Sequence, residues 1–117
     1  MGSLSFGSSQ TAIGLDIGTD HVRVAQVKQT GSGPVLTGYG RVDVPMGAVA
    51  DGEIVDSAAV SAAIKELWRG SGVRGKGVAT GVSNQRVIVR LIDLPFMERG
   101  ELQSAIQYQA QDYIPMA

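Results

Sequence analysis

Three residues near the start of the chain have types and spacing suited to chemistry: Asp16, Gly18 and Thr19, with Asp20 next in line. They lie within IGLDIGTDHVRVAQV, which runs from Ile13 to Val27 as two apolar runs around a tight, Gly-containing turn. A glycine at such a tip lets the chain bend sharply and brings a backbone N–H close to an anion with no Cβ in the way. Thr19 adds a hydroxyl and a second N–H, and consecutive N–H groups in a turn can form an anion-binding concavity. Asp16 would repel a bare phosphate, so its carboxylate makes sense with a cation in between. Mg²⁺ held through water suits that place, because it keeps several waters when one or two carboxylates bind it. The same residues are also ordinary turn formers, and four residues alone do not choose between the two readings. His21 is read as an exposed or hydrogen-bonded strand residue and not a ligand, and Trp68 and Tyr113 as core or interface packing residues.

The elements that must position these groups belong to one modest domain of 117 residues. Hydrophobic residues make up 44 % and charged residues 18 %, a globular balance that argues against disorder. The net charge is −1, and no Lys/Arg stripe suggests nucleic acid. With no cysteine and one histidine, a disulfide scaffold, a thiolate metal site and a multi-histidine metal centre are all excluded. No apolar run approaches the roughly 20 residues of a membrane span. The opening MGSLSFGSSQ is polar and Gly/Ser-rich, and residues 1–11 read as a flexible leader.

From Ala12 to Pro45 the pattern is short strands and turns. Ile13, Leu15 and Ile17 alternate, and Val22, Val24, Ala25 and Val27 mostly keep the period-two pattern beyond the turn. A third run carries Leu36, Tyr39 and Val42. Short connections predict an antiparallel meander, since parallel pairing needs a long crossover. Asp51-Gly52 is a turn. Asp56 or Ser57 can cap a helix whose face is Val60, Ala63, Ile64, Leu67 and Trp68, ended by Gly70 and Gly72.

From Gly77 a second regime begins. GVATGVS and RVIVRLIDLP read as a hairpin around Ser83 to Gln85, with Val87, Val89 and Leu91 on one face and Pro95 as its stop. A helix follows with a stripe of Leu102, Ala105, Ile106, Ala110 and Tyr113, and Pro115 lies just beyond it. With little chain left for that stripe to pack against, the expectation is a fragment of something longer. The fold class is α+β.

IGLDIGTDHVRVAQV resembles the first phosphate-binding hairpin of the actin/Hsp70-like ATPase superfamily. GAVADGEIVDSAAVSAAIKELW, VATGVSNQRVIVRLIDLPFM and ELQSAIQYQAQDYIPM are similar, in order, to segments of the PilM family. That is the FtsA-like branch serving type IV pilus and related secretion machines. The chain departs from it at Gln109, where Glu is frequent, and at Asp20-His21, where small or hydroxyl residues are usual. The resemblance implies an actin-like (ribonuclease H-like) first subdomain over residues 12–76. The start of an FtsA/PilM-type inserted subdomain would then occupy 77–117.

The resemblance further implies a cytoplasmic scaffold, peripheral to the inner membrane and reaching it only through partners. It would bind the N-terminal cytoplasmic peptide of a PilN-like membrane protein, with the Arg86 to Ile92 region and the final helix expected near that peptide. It would also link to the pilus assembly ATPase layer. ATP and Mg²⁺ would bind the longer protein, with Asp16, Gly18, Thr19 and Asp20 at the phosphates and Asp16 toward the metal. The residues present offer no general base, so the reading is a scaffold and not an enzyme, with slow ATP hydrolysis left to the longer protein. An ATPase or sugar-kinase-type enzyme of the same superfamily is the alternative. A ligand-free, self-associating fragment is the third reading, because an unfinished sheet exposes strand edges.

Overall fold

A computed structural model describes residues 11–114. Residues 1–10, which include most of the expected leader, and Pro115 lie outside the described residues; Thr11 already belongs to the first strand. The chain divides into two compact units, one ending at Gln85 and the other beginning at Arg86.

The first unit is built on β1 (Thr11–Ile17), β2 (His21–Thr30) and β3 (Gly33–Asp43), paired antiparallel in sequence order as the alternation predicts. β4 (Val49–Ala50) and β5 (Glu53–Ile54) form a small ladder of their own around Asp51-Gly52. Both turn residues have positive φ, 52° and 75°, the conformation of a type I′ hairpin turn, which Asp-Gly favours. The helix α1 (Ser57–Gly70) follows. Asp56 is its N-cap, and the carboxylate accepts the Ala59 N–H at 3.0 Å.

Period two decides which side chains face α1. Ile13, Val22 and Val24 meet Val60, Ala63 and Leu67 in the core, together with Val44, Ala48, Val49 and Val73. Leu15, Ile17, Ile64 and Trp68 pack at its margin. The predicted helix face is thus the one that covers the sheet. Two glycines of β3, Gly38 and Gly40, lie on the same side. A Cβ at Gly38 would stand 3.0 Å from Val73 Cγ2, and one at Gly40 would stand 2.9 Å from Leu67 Cδ1. The glycines therefore create the room into which the end of α1 and the loop after it descend. That loop is stitched down by Tyr39 N–H to Ser71 O at 3.2 Å and by Arg74 N–H to Gln26 Oε1 at 3.1 Å.

β6 (Ala79–Thr80) returns after α1 and pairs parallel with β1, giving the order β3-β2-β1-β6. The helix is the crossover that parallel pairing requires. This corrects the expected hairpin around residues 83–85. Ala79 and Thr80 pair with Gly14 and Leu15, and residues 81–98 form no strand. A run of alternating apolar residues becomes a strand only when a neighbour accepts its ladder. Here Ala79 and Thr80 find β1, whereas Val89 and Leu91 stay exposed. The change of compact unit also falls after Gln85, beyond the change of pattern at Gly77.

The second unit contains α2 (Arg99–Tyr113), the helix expected over this stretch. It buries no residue; Leu102, Ala105 and Ala110 of the expected stripe are half-buried, and Ile106 and Tyr113 are exposed. Glu98 precedes it without a capping side-chain hydrogen bond.

Candidate functional site

The candidate residues sit where β1 turns into β2. Gly18 N–H donates to His21 O at 2.9 Å and closes the turn. A Cβ on Gly18 would lie 3.0 Å from that same carbonyl. Gly18 is not among the residues with positive φ, so close approach, not a left-handed backbone, is what favours glycine here. Its N–H is engaged inside the hairpin and is not presented to an anion. Thr19 and Asp20 are exposed at the tip. Asp20 O accepts the Val44 N–H at 2.9 Å, tying the tip to the chain leaving β3.

The Asp20 carboxylate lies 2.8 Å from His21 Nδ1. That nitrogen is buried and makes no directed hydrogen bond, so the approach is a close contact off the N–H line. His21 opens β2 as a strand residue, but its side chain is only 19 % exposed and Nδ1 has no hydrogen-bond partner, which corrects the expectation of an exposed or hydrogen-bonded imidazole.

Asp16 has a partner that the sequence reading did not give it. The hairpin register sets Asp16 opposite Arg23. Arg23 Nη2 and Nε both donate to Asp16 Oδ2, at 2.8 and 3.1 Å. The hydrogen bond and negative charge of Asp16 raise the Arg23 pKa further above its ordinary value. Counting outward from the turn would have found the pair, since residues equidistant from a tight tip face each other. Only the geometry shows that the guanidinium closes on the carboxylate.

The antiparallel register extends this arrangement across the sheet face turned away from α1. Asp16, Arg23 and Arg41 form one row; Gly14, Ala25 and Tyr39 the next; Ala12, Val27 and Leu36 the third. Arg41 Nη2 lies 3.4 Å from Asp43 Oδ1. A shallow depression of about 530 Å³ lies over this face, with Gly14, Asp16, Arg23, Ala25, Tyr39 and Thr80 among its walls.

The fit of a divalent cation can be judged from these contacts. Among the described residues there is no group of three or more His, Cys, Asp or Glu able to hold a metal. Asp16 offers one carboxylate, and Arg23 already bonds to one of its oxygens. These residues therefore do not fit Mg²⁺ as a protein-made site. No nucleophile paired with a base occurs at the tip, so the chemistry available is electrostatic.

An antiparallel meander, a crossover helix and a parallel return strand, with an acid-and-glycine bend at the first hairpin, define a fragment of the actin-like fold. The model of the type IV pilus assembly protein PilM family matches residues 14–117. The chain belongs to that family. A solved structure titled "PilM-PilN type IV pilus biogenesis complex" is 33 % identical, with a TM-score of 0.68 over 90 % of this chain. The chain spans 31 % of the length of that relative. Comparison with curated proteins gave no match. Among the described residues, no helix is long and apolar enough to cross a membrane.

Proposed function

We propose that this chain forms the leading part of a scaffold in the inner-membrane assembly complex of a type IV pilus. Its role is to receive the N-terminal cytoplasmic peptide of a PilN-like membrane protein, and it holds the scaffold at the cytoplasmic side of the membrane through that partner. One observation carries the reading: the family match runs over residues 14–117, and a 33 % identical relative was solved as a PilM–PilN complex. In the longer protein the Asp16–Asp20 hairpin faces the phosphates of ATP, and further surfaces contact the pilus ATPase layer. Orientation, not chemistry on the peptide, is the work of such a scaffold.

The test is co-purification of the longer protein, expressed with its PilN-like partner. Removing the partner's cytoplasmic tail is expected to abolish recovery of the pair. Unchanged recovery refutes the peptide reading. Recovery lost only when α2 is also altered assigns the contact to other parts of the partner.

A further inference from the structure

We infer that the Asp51-Gly52 turn is a clasp on the chain that leaves the first unit. It grips Ser83 and Asn84, so the backbone is fixed as far as Gln85. The pivot between the two units therefore begins after Gln85, and not after Thr80 where the strand ladder ends.

Three observations carry this. The first is the space at Gly52. Its φ is 75°, the carbonyl oxygen of Ser83 stands where a Cβ would be, and Asn84 Cβ lies 3.1 Å from the same point. A backbone comes this close only to glycine. The second is the footing of the turn. Ala48 and Val49 are buried in the core. Ala48 O accepts the Val55 and Asp56 N–H groups at 2.9 and 3.1 Å, and Asp56 in turn caps α1. The turn is thus a fixed post and not a loose tip. The third is where the gripped residues fall. Ala79 and Thr80 are held by β1, residues 81–98 form no strand or helix, and the first unit closes at Gln85. Gln85 also lines a small pocket of about 280 Å³ with Ala50, Asp51, Glu53 and Val55, beside the turn.

Hinges are a few loop residues that absorb the change in backbone angles. With the clasp open, residues 81–85 would join the segment after them and lengthen the pivot. The gripping residues belong neither to the first hairpin nor to a partner, so the clasp stands or falls apart from the proposed role.

The test is ¹⁵N relaxation on the labelled 117-residue chain. Asparagine tolerates positive φ, so Gly52→Asn adds the Cβ with little backbone strain. Gly47→Asn is the control, because φ there is 83° and nothing lies within 4 Å of a Cβ. In the wild type, order parameters of about 0.85 are expected to continue from Thr80 through Gln85. Gly52→Asn should lower those of Ser83 to Gln85 below about 0.6, the flexible range, and leave Ala79 and Thr80 unchanged. Gly47→Asn should leave all of them unchanged. Unaltered order at Ser83 to Gln85 in Gly52→Asn overturns the clasp, as does equal loosening in Gly47→Asn. Should Gly52→Asn fail to fold, the wild-type profile decides: order that drops at Gly81 and does not persist to Gln85 overturns it.

Discussion

Gly40 of β3 lies directly against Leu67 of α1: a Cβ at position 40 would stand 2.9 Å from Leu67 Cδ1 and from Ser71 Cβ. Leu67 is 1 % exposed and wedged in the core, so it has no free volume into which to retreat. Gly40→Val is therefore expected to destabilise the first unit by about 1–3 kcal/mol, the cost of overpacking. Urea unfolding followed by the emission of Trp68, which packs beside this core, measures it. Gly14→Ala is the matching control, since nothing lies within 4 Å of a Cβ there and its φ is not positive. It should leave stability unchanged or raise it by about 0.4–1 kcal/mol through the unfolded state.

Truncating Leu67 itself tests the same contact from the other side. Leu67→Ala removes a fully buried side chain that joins α1 to β2 and β3, and a loss of about 2–5 kcal/mol is expected. For a domain of this size that is a large fraction of the total stability. Circular dichroism at 25 °C with and without a stabilising osmolyte reads the folded population directly. A loss below about 1 kcal/mol would mean that the helix does not depend on this side chain.

The cap of α1 gives a smaller and more local effect. Asp56 Oδ1 accepts the Ala59 N–H at 3.0 Å, satisfying a first-turn donor that otherwise has no intrahelical partner. Asp56→Ala should cost about 0.5–2 kcal/mol, whereas Asp56→Asn, which keeps an accepting oxygen, should cost much less. Thermal unfolding of the three proteins at one pH separates them. Equal melting temperatures for Ala and Asp would show that the bond is not formed in solution.

Local rules made α1 legible: a cap residue, an i, i+3, i+4 apolar face and glycines at and just after its end all agree. The meander was legible for the same reason, as its pairings join neighbours in sequence. Non-local pairing was not. Ala79-Thr80 could have paired forward with residues 86–92 or back to β1, and the alternation reads the same either way. The strand-like character of Val87, Val89 and Leu91 is real, but a ladder needs a partner that no local pattern supplies. Gly38 and Gly40 carried a usable signal, two glycines at period two on the face of β3 that must meet a helix. At the candidate site the residue types pointed to Asp16 and Gly18 as the ones to examine. The Arg23 contact and the engagement of the Gly18 N–H depend on side-chain and turn geometry, which residue types do not encode.

Those two contacts bear on whether this polypeptide binds a nucleotide alone. Anion binding by a turn needs backbone N–H groups that point outward, yet the Gly18 N–H donates to His21 O at 2.9 Å. The Asp16 carboxylate already holds a guanidinium, and the face over the sheet is a shallow depression, not an enclosed cleft. Tight small-molecule sites bury most of their ligand, and this surface cannot enclose a nucleotide. The 117-residue chain is accordingly expected to bind ATP with a dissociation constant above about 1 mM, equivalent to less than about 4 kcal/mol. Isothermal titration with ATP and Mg²⁺ checks it. Micromolar affinity would show that the hairpin and its open sheet face suffice, and the assignment of the remaining contacts to other parts of a longer protein would have to be abandoned.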